Sequence, residues 1–231
     1  MPAVNAVGEV IIASAHAALG YADTYLPEDE SLLEARAGAE ELGGTTPIRP
    51  AGGAVLRFLA AAIGAKTVVE IGTGCGSSGI WLLRGMRPDG VLTSVEAEPE
   101  CQRLARKAFG HAGFASNRYR LILGRALDVL PRLSDGAYDM VFCDADTREY
   151  PDYLEAALRL LRVGGIVAFD DVIVPPDLAG VPADSDPDLD NRPPGHAAAV
   201  RELAETLRAD ERLVPLFLPL GDGLLAAVKR G

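Results

Sequence analysis

From Lys66 onward the chain alternates between two periodicities, and that alternation restricts its fold more than any single residue does. Strand-like runs TVVEI (67–71), VLTSVE (91–96), RYRLIL (118–123), YDMVFCD (138–144) and GIVAFDD (165–171) are separated by helical runs SGIWLLRGM (78–86), PECQRLARKAFGHAG (99–113), ALDVLPRL (126–133) and YPDYLEAALRLL (150–161). Strands that alternate with helices form a parallel sheet covered on both faces. The closing RLVPLFLPLGDGLLAAVKR adds two apolar strands joined through Gly221-Asp222-Gly223, a connection that favours an antiparallel hairpin. The expected architecture is an α/β domain with a mostly parallel seven-stranded sheet, helices on both faces and a C-terminal hairpin. In such sheets ligands bind beyond the carboxyl ends of the strands. Gly72 to Gly76, Glu96, Asp144 and Asp170-Asp171 all fall at those ends, which predicts one cleft.

The flanking segments differ from this core. Residues 1–50 read as a helical extension, in which EDESLLEARAGAEELGG has acidic residues at its start and Gly43-Gly44 as a stop. TTPIRPAGG reads as a loop before the apolar helix AVLRFLAAAIGA. Residues 175–195 read as an acidic, proline-rich surface loop, with a further helix, HAAAVRELAETLRAD, after it. The loop's DSDPDLDN is not a calcium loop, because Leu189 stands where glycine is required and Gly195 where glutamate is. A single domain spanning 1–231 suits this length.

Charge and composition exclude several functions. With 22 basic against 33 acidic side chains the net charge is −11, which disfavours a nucleic-acid partner. No apolar run has the ~20 residues needed to span a membrane. The N-terminal apolar stretch lacks a basic region and follows Glu9, so it does not read as a signal peptide. Cys75, Cys101 and Cys143, without metal-ligand spacing, read as reduced thiols of a cytoplasmic protein.

VVEIGTGCGSSG (68–79) holds two overlapping glycine signatures. From Gly74 it is G-x-G-x-x-G, the dinucleotide fingerprint; from Glu70 it is E-x-G-x-G-x-G, the form of a loop that holds S-adenosylmethionine. Glycines at a strand-to-helix turn and an acidic ribose ligand at Glu96 serve either cofactor. Two features favour the second. A carboxylate at Glu70 suits the positively charged methionine end and would repel a pyrophosphate, and a simple dinucleotide domain needs no terminal antiparallel pair.

The segments VVEIGTGCGSSGIWLL, GVLTSVEAEPE, GRALDVLP, YDMVFCDADTREYPDYLEAALRLLRVGGIVAFDDV and LPLGDGLLAAVKR resemble, in this order, the cation-dependent O-methyltransferases related to catechol and caffeoyl-CoA O-methyltransferases, especially their bacterial members. The resemblance implies the class I methyltransferase (Rossmann-like) fold, a homodimer, and methyl transfer to a hydroxyl of a catechol-like aromatic substrate. It places Thr46, Glu70, Gly72, Thr73, Gly74 and Ser78 around the methionine end, Glu96 on the ribose, Ala126 beside the adenine, and Asp144 and Asp146 near the cofactor. Asp144, Asp170 and Asp171 would hold a divalent cation, for which oxygen ligands suit Mg²⁺, Mn²⁺ or Ca²⁺ better than zinc.

The chain departs from this pattern at two positions. Asp171 stands where the family usually has asparagine, so three carboxylates would surround the cation. Thr147 occupies the place of a catalytic lysine, and its hydroxyl cannot act as that base. The assigned catalytic positions are therefore Asp144 and Thr147, while His16, His111 and His196 match none. A phenol is only about 0.1% ionised at pH 7, a deficit of roughly 4 kcal/mol, so the acceptor's ionisation would come from the metal, whose acidifying effect three carboxylates would blunt, from bulk base or from the substrate's own acidity. Two alternatives follow: a cofactor-binding protein of this fold with impaired catalysis, or an NAD-dependent oxidoreductase if Glu70 is incidental.

Overall fold

A computed structural model of the protein describes residues 17–173 and 194–231. The first 16 residues, with His16 and the apolar N-terminal stretch, and residues 174–193, with DSDPDLDN and nearly all of the acidic loop, lie outside the described residues. Helix α1 runs through residues 17–25, followed by α2 (Glu30–Leu42), α3 (Pro50–Ala62), β1 (Thr67–Ile71), α4 (Ser77–Gly85), β2 (Val91–Glu96) and α5 (Pro99–His111). Then come β3 (Tyr119–Leu123), α6 (Ala126–Val129), β4 (Tyr138–Cys143), α7 (Tyr150–Leu160), β5 (Leu161–Phe169), α8 (His196–Ala209), β6 (Leu213–Leu218) and β7 (Leu224–Lys229).

The strands form one sheet in the order β3-β2-β1-β4-β5-β7-β6. The first five are parallel, while β7 pairs antiparallel with both β5 and β6. This is the expected seven-stranded architecture. The central strands are apolar on both faces, as burial under helices on both sides requires. Val69, Ile71, Val141, Cys143, Val167 and Phe169 pack on one face against α7 and α8, through Tyr150, Leu154, Ala157 and Leu203 among others. Their neighbours Val68, Met140, Phe142, Ile166 and Ala168 face the opposite way, against Leu56 of α3 and Trp81 of α4. The period of two along each strand produces this division. The same period sends Glu70 to the Val68 face, where it is 0% exposed.

The acidic start and glycine stop of α2 act as expected. Asp29 accepts a hydrogen bond from the Leu32 N–H at 3.3 Å, and Gly43 closes the helix at φ 67°. Leu32 and Ala35 bring α2 into the core with α4 and α5.

Two expectations about local structure need correction. TTPIRPAGG is not loop throughout, because Pro50 opens α3 and Gly52 and Gly53 lie within it. Proline is preorganised for the first helical turn. Gly53 is needed for closeness: a Cβ there would lie 2.3 Å from the Trp81 ring. Strand β5 begins at Leu161, four residues before the run GIVAFDD, and ends at Phe169, so Asp170 and Asp171 stand just beyond it. The early start is held by Arg162, whose Nε donates to Asp139 Oδ1 at 2.7 Å, and the β4–β5 register shifts between Tyr138 and Met140. Pro215 is tolerated in β6 because that strand forms the edge of the sheet.

The three cysteines are free and buried. Among the described residues no helix is long and apolar enough to cross a membrane.

Gly53→Ala should destabilise the protein by about 1–3 kcal/mol, the usual range for overpacking a core. Urea unfolding should show a lowered midpoint with unchanged slope. An unchanged midpoint would mean that α3 and α4 are not in close contact at this point.

Candidate active site

The site begins with a close approach of two strand ends. The Asp144 N–H donates to Ile71 O at 2.8 Å, and the Gly72 N–H donates to Val95 O at 3.0 Å. Gly72 has φ 90°, and a Cβ on it would lie 1.9 Å from the Asp144 carbonyl oxygen. Only glycine lets the loop leaving β1 run against the end of β4. The loop then turns into α4, whose N-cap, Gly76, contributes no side-chain hydrogen bond.

Glu70 lies beneath this loop rather than on its surface. Its Oε1 accepts from Ser78 Oγ at 2.7 Å and its Oε2 from Ser94 Oγ at 2.5 Å. Because the Ser94 O–H donates to Glu70, Thr73 Oγ1, 2.5 Å from Ser94 Oγ, is the donor of that pair. Burial raises the Glu70 carboxyl to about 7, with the charge of Glu96 adding to the rise and the two serine hydroxyls opposing it. Glu96 ends β2; its Oε2 accepts from the Gly74 N–H at 2.8 Å and its Oε1 from the Glu98 N–H at 2.9 Å.

Asp144 follows β4, Asp170 and Asp171 follow β5, and Asp222 lies in the β6–β7 turn. Asp144 is raised to about 7, first by desolvation at the base of the cleft and then by Asp171, Glu70, Asp222 and Glu96. Asp170, only 4% exposed, is pushed well above the carboxylate range by burial and then by Asp144. Every charge named in these shifts is another carboxylate. The Tyr150 hydroxyl donates to the Asp170 carbonyl oxygen at 2.8 Å and anchors that strand end.

These groups border a cavity of about 1080 Å³. Its floor includes Gly72, Thr73, Gly74, Ser78 and Glu96 together with Asp144, Asp170, Asp171 and Asp222, and Thr45, Thr46 and Arg49 contribute the α2–α3 side. Thr45 Oγ1 and Ser77 Oγ, both buried on residues of this wall, have no hydrogen-bond partner among the described residues. Buried hydroxyls are normally paired, so both suit a polar ligand. A smaller cavity of about 270 Å³ beside Glu155, Arg159 and Lys229 holds none of the strand-end carboxylates.

The structure thus gathers most of the sequence-predicted residues, but not all. Ala126, at the start of α6, is outside the cavity wall. So is Asp146, which caps a 3-10 turn through the Arg148 N–H at 3.0 Å and pairs with the Arg148 guanidinium. Thr147 is buried and turned inward, with its Oγ1 2.9 Å from His196 Nδ1. His196, given no role from the sequence, also approaches Asp171 Oδ2 at 3.8 Å. Asp171 is directed toward this imidazole, and among the described residues no three His, Cys, Asp or Glu side chains form a ready-made metal cage. Sequence reasoning also missed Ser94 and Asp222. Ser94 was detectable as a polar residue inside an apolar strand; Asp222 was read only as turn chemistry.

The sign of the Glu70 effect on stability follows from its raised value. Its proton favours the folded state, so this contribution is present below about pH 4.5 and is lost as pH rises through about 7. Glu70→Gln should therefore stabilise the ligand-free protein at pH 8 by an amount on the order of 3 kcal/mol, at about 1.4 kcal/mol per pH unit. Its effect at pH 5 should be small. Urea midpoints of both proteins across pH 5–8 check this, and a difference independent of pH would refute it.

Known proteins share this sequence pattern and fold. The O-methyltransferase family pattern matches residues 25–230. A putative O-methyltransferase of Mycolicibacterium smegmatis is 45% identical over 216 residues, covering 94% of this chain and 98% of that protein. A probable O-methyltransferase of Mycobacterium tuberculosis is 47% identical over 209 residues, 90% of this chain and 89% of the relative. Among solved structures, TomG of Streptomyces achromogenes, an O-methyltransferase of tomaymycin synthesis in complex with S-adenosylmethionine, superposes with a TM-score of 0.77 at 31% identity, covering 92% and 95% of the two chains. The Bacillus cereus O-methyltransferase in complex with S-adenosylhomocysteine gives 0.77 at 27% identity, over 91% and 95%. With the family pattern extending over nearly its whole length, this chain belongs to the O-methyltransferase family.

Proposed function

We propose that the protein transfers the methyl group of S-adenosylmethionine to a hydroxyl of a catechol-like small molecule, with a divalent cation at Asp144, Asp170 and Asp171. The observation that carries this reading is the gathering of Asp144, Asp170, Asp171 and Asp222 at one end of the cavity, where burial and neighbouring carboxylates raise Asp144 and Asp170. A sulfonium and a dication are the charges such a set suits, whereas the pyrophosphate of a dinucleotide would meet repulsion.

The residues present fit the methyl donor. Both oxygens of Glu96 are fixed by backbone N–H groups, and their remaining lone pairs suit the two hydroxyls of a ribose. Ser78, with its proton committed to Glu70, presents an oxygen acceptor toward the cavity and suits an ammonium group. Glu70 thus acts through Ser78, and through Ser94 and Thr73, instead of touching the donor. Thr45 and Ser77 add two unpaired hydroxyls.

The residues also fit a hard cation by donor chemistry. Asp144 and Asp170 are carboxyls raised first by burial, then by the charge of Asp171 on Asp144 and of Asp144 on Asp170, and they would become ordinary carboxylate ligands beside Mg²⁺, Mn²⁺ or Ca²⁺. Such an ion supplies acidification of the acceptor hydroxyl when bound. Methyl transfer is an in-line displacement, so the chain's remaining task is to align donor and acceptor. Asp170 is held for this by Tyr150, and Gly72 brings the donor loop against Asp144.

A second reading is cofactor binding with little turnover. It is favoured by the inward direction of Thr147, which contributes no base to the cavity. One experiment separates the two. Incubation with S-adenosylmethionine, a catechol and Mg²⁺ should give a mono-methylated product by mass spectrometry, and exhaustive chelation or Asp144→Ala should abolish it. Binding of S-adenosylhomocysteine without product from any catechol would support the second reading.

Glu96→Ala should weaken S-adenosylhomocysteine about 10- to 100-fold by calorimetry, the range for losing charge-assisted hydrogen bonds of roughly 1.5–3 kcal/mol. An unaltered affinity would remove Glu96 from the binding site. With Thr147 in the place of a catalytic lysine and turned toward His196, turnover should rise steadily from pH 6 to 9 and favour more acidic catechols. A flat profile would mean that another group takes the proton.

A further inference from the structure

One imidazole spans the two strand ends that carry Asp144 and Asp170. His196, the first residue of α8, is 2% exposed. Its Nδ1 lies 2.9 Å from the hydroxyl of Thr147, in the turn after β4, and 3.8 Å from Oδ2 of Asp171, just after β5. At 2.9 Å this nitrogen can donate to the threonine hydroxyl or accept from it, while its 3.8 Å approach to Asp171 is an ion-pair distance and not a hydrogen bond. A buried polar group in this position requires such partners.

Asp171 is itself unusual. Among the described residues it is the only non-glycine with positive φ, at 55°. That conformation costs on the order of 1 kcal/mol for a side chain other than glycine and persists only where neighbours impose it. The backbone is held on both sides: the Asp170 N–H donates to Cys143 O at 3.1 Å, and the Ile173 N–H donates to Asp222 O at 3.0 Å. The Asp171 side chain borders the cavity on one side and approaches His196 on the other. The imidazole therefore stands where it can set the direction of this carboxylate, and its hydrogen bond with Thr147 secures the imidazole.

We propose that His196 is a positioning residue for the acceptor end of the cavity: tied to Thr147, it holds the Asp171 carboxylate in place, while leaving the methyl-donor end untouched. The kinetic part of this inference rests on the methyl-transfer reading above; the structural part does not. The donor loop, Ser78 and Glu96 make no contact with His196 in the hydrogen bonds and ion pairs that define the donor end, so the two ends should respond separately to its replacement.

The test compares wild type, His196→Ala, His196→Asn and Thr147→Val, each crystallised with S-adenosylhomocysteine and assayed with catechol and Mg²⁺. In His196→Ala, the Asp171 carboxylate should turn from its wild-type direction and kcat/KM for catechol should fall about tenfold or more, since small misplacements near reacting groups have large effects. Affinity for S-adenosylhomocysteine by calorimetry should stay within about twofold, well under the tenfold that corresponds to 1.4 kcal/mol. In His196→Asn, whose amide can reach the place of Nδ1, both Asp171 and most of kcat/KM should return. Asp171 displaced with kcat/KM intact, or kcat/KM lost with Asp171 in place, overturns the proposal. So does an equal loss of donor affinity and turnover that asparagine does not restore, which would mark a purely structural role. Should His196→Ala fail to fold, Thr147→Val decides: Asp171 displaced and kcat/KM lowered, with donor affinity unchanged, supports the proposal, and no change in either refutes it. If wild type forms no product from catechol, the methyl-acceptor reading fails, and the position of Asp171 in the variant crystals still decides the role of His196.

Discussion

The contact between Gly72 and the backbone of Asp144 is the constraint on which the site depends. Two parallel strands, β1 and β4, end side by side, and the chain leaving one passes within a Cβ's reach of the chain leaving the other. The glycine loop and the acidic cluster are separate features of the sequence, more than 60 positions apart, and this contact makes them one wall. A methyl group at position 72 would have to displace backbone, not a movable side chain, so the junction cannot relax cheaply. The helices behind it are drawn in by the same economy of space, with Gly53 against Trp81 tying α3 to α4.

Electrostatics then sets the character of the cavity. Glu70, Asp144 and Asp170 are all shifted upward, chiefly by removal from water and further by one another or by neighbouring carboxylates. Without a compensating cation these groups lower the stability of the folded chain at neutral pH. A protein that keeps such an arrangement gains from binding positive charge, because ligands that bind only the folded state stabilise it. Under the proposed function the methyl donor's sulfonium and a divalent metal supply that charge. The hydroxyls of Ser78, Ser94 and Thr73 relay the influence of Glu70 to the wall without exposing it.

Much of this was legible in the sequence because it is local or periodic. The alternation of strands and helices, the glycine turn and the terminal Asp-Gly hairpin each depend on residues close together in the chain, and the structure shows them where they were read. The errors came where a packing partner decides. TTPIRPAGG has loop composition, yet Trp81 rewards a glycine inside a helix there. Leu161 to Gly164 joined β5 because Arg162 found Asp139 across the strands.

The sequence by itself determined the fold class, the loop and the identities of the strand-end carboxylates, since period and turn chemistry act over a few residues. Only the tertiary structure decided the direction of the side chains. Thr147 turned from the cavity toward His196, Asp171 adopted a left-handed backbone between the cavity and that imidazole, and Glu70 sank beneath the loop to bind two serines. Each outcome depends on a partner distant in sequence, such as His196, 49 positions from Thr147. A spacing rule cannot carry that information, because the direction of a buried polar side chain is set by whichever donor or acceptor the fold brings within about 3 Å.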